Sequence, residues 1–131
     1  NPPMSCHIER DSMHTSARDN RMNQVKEYIR SNVCSHLTEQ SIAKVFNMST
    51  DHLSRLFHKE LGVTINQYIR QQRVYAAQDL LKYTDYTISN ISVILGFSSQ
   101  SYFGKTFKYY TGVTPAKYRV ENKKSLEVKK A

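Results

Sequence analysis

The sequence predicts an all-α protein: two helix-turn-helix subdomains joined by a long linker helix, about seven helices in all. Three observations lead there. Apolar residues recur at the i, i+3, i+4 spacing of amphipathic helices, and no stretch alternates with period two long enough to build a sheet. Capping and stop residues punctuate those stripes. The chain also matches itself at an offset of about fifty residues.

Asn1 to about Asn20 is polar, contains Pro2-Pro3 and shows no periodicity, so it reads as a linker or disordered arm. The helical pattern begins at Met22, with Met22, Val25, Ile29 and Val33 on one face and Tyr28 beside them. Thr38 is a good N-cap for a second, short helix, and Glu39 sits in its first turn where the dipole favours an acid. Ile42, Ala43 and Phe46 form its apolar face. Asn47 tolerates positive φ in the turn that follows, and Ser49 caps a third helix striped by Leu53, Leu56 and Phe57 and ended by Gly62.

Thr64 opens the longest helix, to about Lys82, with Ile65, Tyr68, Ile69, Val74, Ala77, Leu80 and Leu81 as its stripe. Thr84 to Thr87 breaks it. Ile88, Ile91 and Leu95 make one more short helix, closed by Gly96. Ser98-Ser99 precede a helix carrying Tyr102, Phe103, Phe107 and Tyr110, which Gly112 stops; Thr114-Pro115 begins the last helix with Pro at N1. The implied organisation is an arm (1–20), a first subdomain (21–63), the linker helix (64–82), a second subdomain (83–120) and a basic tail (121–131).

The internal match is detailed. At an offset of 50, Ser49 aligns with Ser99, Leu53 with Phe103, Arg55 with Lys105, Phe57 with Phe107 and His58 with Lys108. Gly62-Val63-Thr64 then aligns with Gly112-Val113-Thr114, and Tyr68 with Tyr118. Upstream the offset becomes 49, pairing Ile42 with Ile91, Phe46 with Leu95, Asn47 with Gly96 and Met48 with Phe97, so the second copy has one extra residue in its turn. Each unit is a short helix, a turn holding Asn or Gly, and a second helix. This is the geometry in which a second helix enters the DNA major groove. Two ligand-free αα-hairpins share the same spacing; the basic residues recurring on the second helices favour DNA.

Composition bounds the function. The 131 residues carry 19 Lys and Arg against 11 Asp and Glu, a net charge of +8 that calls for an anionic partner. Residues 1–20 are net −1, 21–82 net +4 and 83–131 net +5, so the charge reads as shared by two heads with matched phosphate-facing bases. At 39% hydrophobic the chain can form a core, and no apolar run approaches the roughly 18 residues of a membrane span. Two cysteines, Cys6 and Cys34, are too few for a disulfide scaffold and suit a reducing compartment, so a cytoplasmic, nucleoid-associated protein is expected. The histidines are scattered, no CxxC is present, and phosphate-loop, dinucleotide, serine-hydrolase and zinc-protease motifs are absent; no metal, cofactor or catalytic residue is expected. The chain begins with Asn and not Met, which suggests a fragment of a longer protein, with N-terminal processing as the competing explanation.

The run Ile91-Ser92-Val93-Ile94-Leu95-Gly96-Phe97, then Ser101-Tyr102-Phe103, Phe107-Lys108, Gly112-Val113-Thr114-Pro115 and Tyr118-Arg119, resembles the signature of AraC/XylS-type transcription regulators. Ala43, Ser49 to Phe57, Tyr68-Ile69 and Arg73 fit the first half of the same domain, and the likeness covers about Arg21 to Val120. Two departures stand out. Ser92 replaces the family's usual Ala and needs a partner such as a carbonyl one turn back; Asn47 replaces the usual Gly. The resemblance implies a bacterial regulator that binds double-stranded DNA, with RNA polymerase as a partner if it activates. It also implies that inducer binding and dimerisation, if any, belong to a separate N-terminal domain. DNA-repair methyltransferases that share this domain keep their reactive cysteine in another module.

Base reading in such units falls to the outer face of the second helix near its N-terminus. The candidates are Thr50, Asp51, Ser54 and Arg55 in the first copy and Gln100, Ser101, Gly104 and Lys105 in the second. Arg55 suits guanine O6/N7 and Gln100 adenine N6/N7; Asp51 either accepts from cytosine N4 or caps its helix, the cap being favoured. Lys105 can equally sit on phosphate, and Gly104 leaves the second surface without a side chain, favouring phosphate and shape readout there. Ser49, His58, Lys59, Ser99 and Lys108 are the phosphate candidates. Arg73 interrupts the linker stripe and reads as an internal tie, and Arg119 leans the same way. The rival function is a cationic helical module for acidic protein or membrane surfaces, which would need a large open apolar face.

Overall fold

A computed structural model describes residues 17–123. Its helices are α1 (Ala17–Ser31), α2 (Glu39–Val45), α3 (Thr50–Leu61), α4 (Ile65–Tyr83), α5 (Ile88–Ile94), α6 (Gln100–Thr111) and α7 (Pro115–Asn122). Among the described residues there is no strand, and the all-α architecture of two helix-turn-helix units on one long helix stands.

Local chemistry sets most of the boundaries. Thr38 and Ser41 form a reciprocal capping box at α2, and Thr64 and Gln67 do the same at α4. Ser49, Thr87, Ser99 and Thr114 each accept a hydrogen bond from the backbone N–H three residues on. Two expectations need correction at the start of the chain. Helix α1 begins at Ala17, inside the stretch assigned to the arm, because its first turn is polar and carries no stripe to reveal it. Val33 lies beyond the end of α1, half-buried in the turn towards α2. The remainder of the expected arm and residues 124–131 of the basic tail lie outside the described residues, while Glu121 and Asn122 of that tail belong to α7.

The turn within each unit is the same device. The Met48 N–H reaches the Ala43 carbonyl at 2.9 Å and the Asn47 N–H reaches Lys44 at 3.2 Å. In the second copy Phe97 reaches Ser92 at 3.0 Å and Gly96 reaches Val93 at 3.0 Å. These are the paired bonds of a helix stop in which one residue turns left-handed. Asn47 (φ 56°) and Gly96 (φ 79°) are those residues. The hydroxyl of Ser92 donates to the Ser89 carbonyl at 2.8 Å, the local partner that a buried Ser requires.

Two separate cores form on one helix. Met22, Val25, Ile29, Ile42, Ala43, Leu53 and Phe57 close over Ile65, Tyr68 and Ile69 of α4. Ile91, Leu95, Phe97, Phe103 and Phe107 close over Val74, Ala77 and Leu81 of the same helix. The helix therefore supplies three buried residues to each half instead of standing free between them. The aromatic packing repeats too: Phe57 meets Tyr68 edge to face at 5.5 Å, and Phe107 meets Tyr118 at 5.5 Å. In α6 the stripe runs through Phe103, Thr106 and Phe107; Tyr102, expected on it, is 42% exposed and leans on Phe97. With the stripes enclosed in two cores, the open apolar face needed by a membrane-surface helix is missing from them.

Arg73 lies where one core gives way to the other. Its Nε donates to the Val33 carbonyl at 3.0 Å and its Nη2 to the Ser35 carbonyl at 2.8 Å, both in the α1–α2 turn. The same guanidinium packs against Gly96 of the second unit, 3.5 Å from where a Cβ would stand. Burial lowers its pKa from the usual arginine value, yet it keeps its charge. Arg119 acts alike at the far end: its guanidinium donates to the carbonyls of Leu80, Leu81 and Thr84, which close α4. Both arginines are structural, as their place in the sequence indicated. Arg73→Ala leaves two carbonyls without their charged donor and is expected to lower stability by about 2–3 kcal/mol in urea unfolding. The loss should also broaden the transition, because the two cores then melt with less coupling.

Candidate nucleic-acid interface

Helices α3 and α6 each turn Leu53 or Phe103, and Phe57 or Phe107, inward, so the opposite face must meet solvent. On α3 that face presents Asp51, His52, Arg55, His58 and Lys59, all exposed. On α6 it presents Gln100, Ser101, Lys105, Lys108 and Tyr109. Eight of the thirteen residues singled out from the sequence thus lie exposed on these two helices, and Ser49 and Ser99 lie exposed at their N-caps. Thr50, Ser54 and Gly104 are half-buried.

The cap of α3 belongs to Ser49, whose Oγ accepts from the His52 N–H at 3.1 Å. The capping role favoured for Asp51 is therefore corrected. Its Oδ2 instead lies 2.8 Å from Nη2 of Arg55, one turn on, with the two side chains 77% and 73% exposed. Ser54 faces the other way. Its hydroxyl donates to Glu39 Oε1 at 2.9 Å and ties α3 to the first turn of α2. Glu39, read in the sequence only as a dipole partner, is thus a positioning residue for α3; fifteen residues of separation hide that bond from any local pattern.

The second copy lacks both polar devices. Ser101 stands where Asp51 does, so Lys105 has no carboxylate one turn back; Gly104 replaces Ser54 and Ile88 replaces Glu39. A Cβ built on Gly104 meets nothing within 4 Å, so neither packing nor backbone demands a glycine there. Ser99 caps α6 by accepting from the Tyr102 N–H at 3.0 Å.

Charge is accordingly unequal, and the expectation of matched heads fails. Helix α3 holds Arg55 and Lys59 against Asp51 and Glu60. Residues 86–120 contain no Asp or Glu at all, leaving Lys105, Lys108 and Lys117 on the exposed surface; of these Lys117 has Glu121 4.0 Å away. Much of the positive charge in the first half holds the fold together. Arg21 donates to the Phe46 carbonyl at 3.1 Å, and Arg30 pairs with Glu27 at 2.9 Å and reaches the Tyr68 hydroxyl at 2.8 Å. Burial raises the Tyr68 phenol above its ordinary value despite that arginine. Lys117, absent from the sequence-derived candidates, was detectable as one of the few bases in an acid-free stretch.

Among the described residues no cluster of His, Cys, Asp and Glu could hold a metal ion, and no helix is long and apolar enough to cross a membrane. A family model described as a helix-turn-helix domain matches residues 42–121. The Msm operon regulatory protein of Streptococcus mutans is 39% identical over 119 residues, covering 91% of this chain and 41% of that protein. The chain therefore spans less than half the length of that relative. The C-terminal domain of AraT, a response regulator of Geobacillus stearothermophilus, superposes with TM-score 0.75 at 30% identity, over 82% of this chain and 90% of that one. The DNA-binding domain of AdpA, solved in complex with a target DNA, superposes with TM-score 0.71 at 26% identity, over 76% of this chain and 90% of that one.

Removing the α3 or α6 cap, Ser49→Ala or Ser99→Ala, is expected to cost about 1 kcal/mol each. Gly104→Ala should stabilise the fold by about 0.5–1 kcal/mol, since a methyl enters open space on a helix. Urea midpoints of the three variants check both signs.

Proposed function

Because the chain belongs to the AraC-type helix-turn-helix family of transcription regulators, we propose that it binds duplex DNA sequence-specifically, with α3 and α6 in successive major grooves. The observation that carries this reading is the repetition of one unit, turn for turn and ring for ring, on a single shared helix. The 19 residues of α4 span about 28 Å, close to the ~34 Å of one DNA turn. One chain thereby addresses two grooves on the same face of the duplex without dimerising, and its site is asymmetric and of order 20 bp. The likeness to the AdpA domain that was solved on its target DNA supports DNA binding by this fold.

Within that reading, Arg55 with Asp51, Thr50, Gln100 and Ser101 meet base edges, while Lys105 joins Lys108, His58, Lys59 and the two capping serines at phosphates. Ser54 positions α3 through Glu39, and Gly104 leaves room for the duplex to approach α6. The acid-free second unit supplies most of the electrostatic attraction, and the balanced α3 supplies discrimination.

Selection of bound duplexes from a random pool, followed by anisotropy titrations across a salt series, tests the proposal. The expected site is asymmetric, with a steep log–log salt dependence. Lys105→Ala and Lys108→Ala should each weaken all duplexes and reduce the slope by about one. Arg55→Ala should cost about 1–3 kcal/mol on the selected site and relax one position. Equal affinity for every duplex, unchanged by Arg55→Ala, refutes sequence-specific binding.

A further inference from the structure

We infer that Asp51 and Arg55 act as one specificity element, which reads a G·C base pair and withholds the Arg55 charge from phosphate. The inference rests on the DNA-binding function proposed above and names what its first recognition helix discriminates. Its basis is the ion pair on the outer face of α3, Oδ2 to Nη2 at 2.8 Å, with both side chains about three-quarters exposed.

An unpaired arginine at this position would be drawn to any phosphate, adding affinity for every sequence. Pairing changes that. A phosphate approaching the guanidinium also approaches the carboxylate, and repulsion from Asp51 offsets the attraction to Arg55. The pair gains only from a partner that offers acceptors to the guanidinium and a donor to the carboxylate together. In the major groove guanine presents O6 and N7 as acceptors, and its cytosine presents the N4 amino group as donor. The guanidinium has five N–H donors, and one carboxylate engages at most two of them, so enough remain for bidentate contact with guanine. An A·T pair places the adenine N6 donor beside N7, which opposes the guanidinium fork.

The second copy supplies the contrast within the same chain. Ser101 and Lys105 occupy the matching positions, and no carboxylate restrains the lysine. Asp51 is not needed to start its helix either, because Ser49 holds the cap.

Asp51→Asn and Asp51→Ser are therefore informative, the second converting the first copy to the pattern of the other. Each variant chain is titrated with the selected duplex, with that duplex carrying G·C to A·T changes, and with a scrambled duplex, over a salt series. Both variants are expected to bind the scrambled duplex about three- to tenfold more tightly with a slope steeper by about one, and to lose discrimination by a similar factor. In an Arg55→Ala background the same substitutions should still relieve repulsion uniformly across the duplexes, but should leave the discrimination between the selected duplex and its G·C to A·T variants unchanged. Asp51 variants with wild-type discrimination and slope overturn the inference and leave DNA binding standing. Wild-type protein without preference among duplexes overturns both.

Discussion

The phase of α4 is the constraint on which the rest of the molecule depends. Three residues at its start belong to one core and three near its end to the other. A helix advances about 100° per residue, so the five steps from Ile69 to Val74 decide how one unit is rotated against its neighbour. Arg73 secures that angle from the side. It binds carbonyls of the first unit while lying flat against Gly96 of the second, so rotation of either unit strains a charged, half-buried hydrogen bond. The only side-chain-free residue in either turn sits where the guanidinium passes. Two small cores, each too slight to be very stable alone, are thereby tied to one another.

The two units are frames that are alike where they pack and unlike where they face outward. Left-handed stops, serine caps and paired rings recur in register, because each solves a problem internal to the unit: ending a short helix, starting the next, and filling the space beneath it. Nothing internal fixes the outer residues. There the first copy pairs Asp51 with Arg55, and the second has Ser101 and Lys105 in their places, neither of them acidic.

This explains what could be read in the chain alone. Caps, stops and stripes are local, and Thr38, Ser49, Thr64, Ser99 and Gly112 do what their residue types dictate. Helix α1 starts earlier than its stripe because a polar first turn carries no periodic signal. Tyr102 misleads for a related reason: an aromatic counts as apolar in any pattern, yet it lies in the first turn of α6, at the edge of the buried face, and is 42% exposed. At the candidate interface, exposure followed from helix geometry, but partnership did not. The Ser54–Glu39 bond joins different helices, and the fate of Asp51 depended on whether Ser49 already held the cap.

The charge asymmetry gives those outward differences a physical meaning. A reader whose two heads were equally basic would grip any duplex with both, and base contacts would add little to an already large electrostatic term. Here the arginines of the first half are largely committed to carbonyls and to Tyr68, and its recognition helix is balanced by its own acids. The second half has no acid over thirty-five residues, and Lys105 and Lys108 of its recognition helix have no carboxylate on their own helix. Under the proposed function, the acid-free unit holds the phosphate backbone while the balanced unit samples base edges without being trapped on phosphates. Since α4 keeps the two in fixed phase, binding by one delivers the other to its groove at high effective concentration. On that proposal most of the affinity comes from one recognition helix and most of the discrimination from the other, and the shared helix joins them.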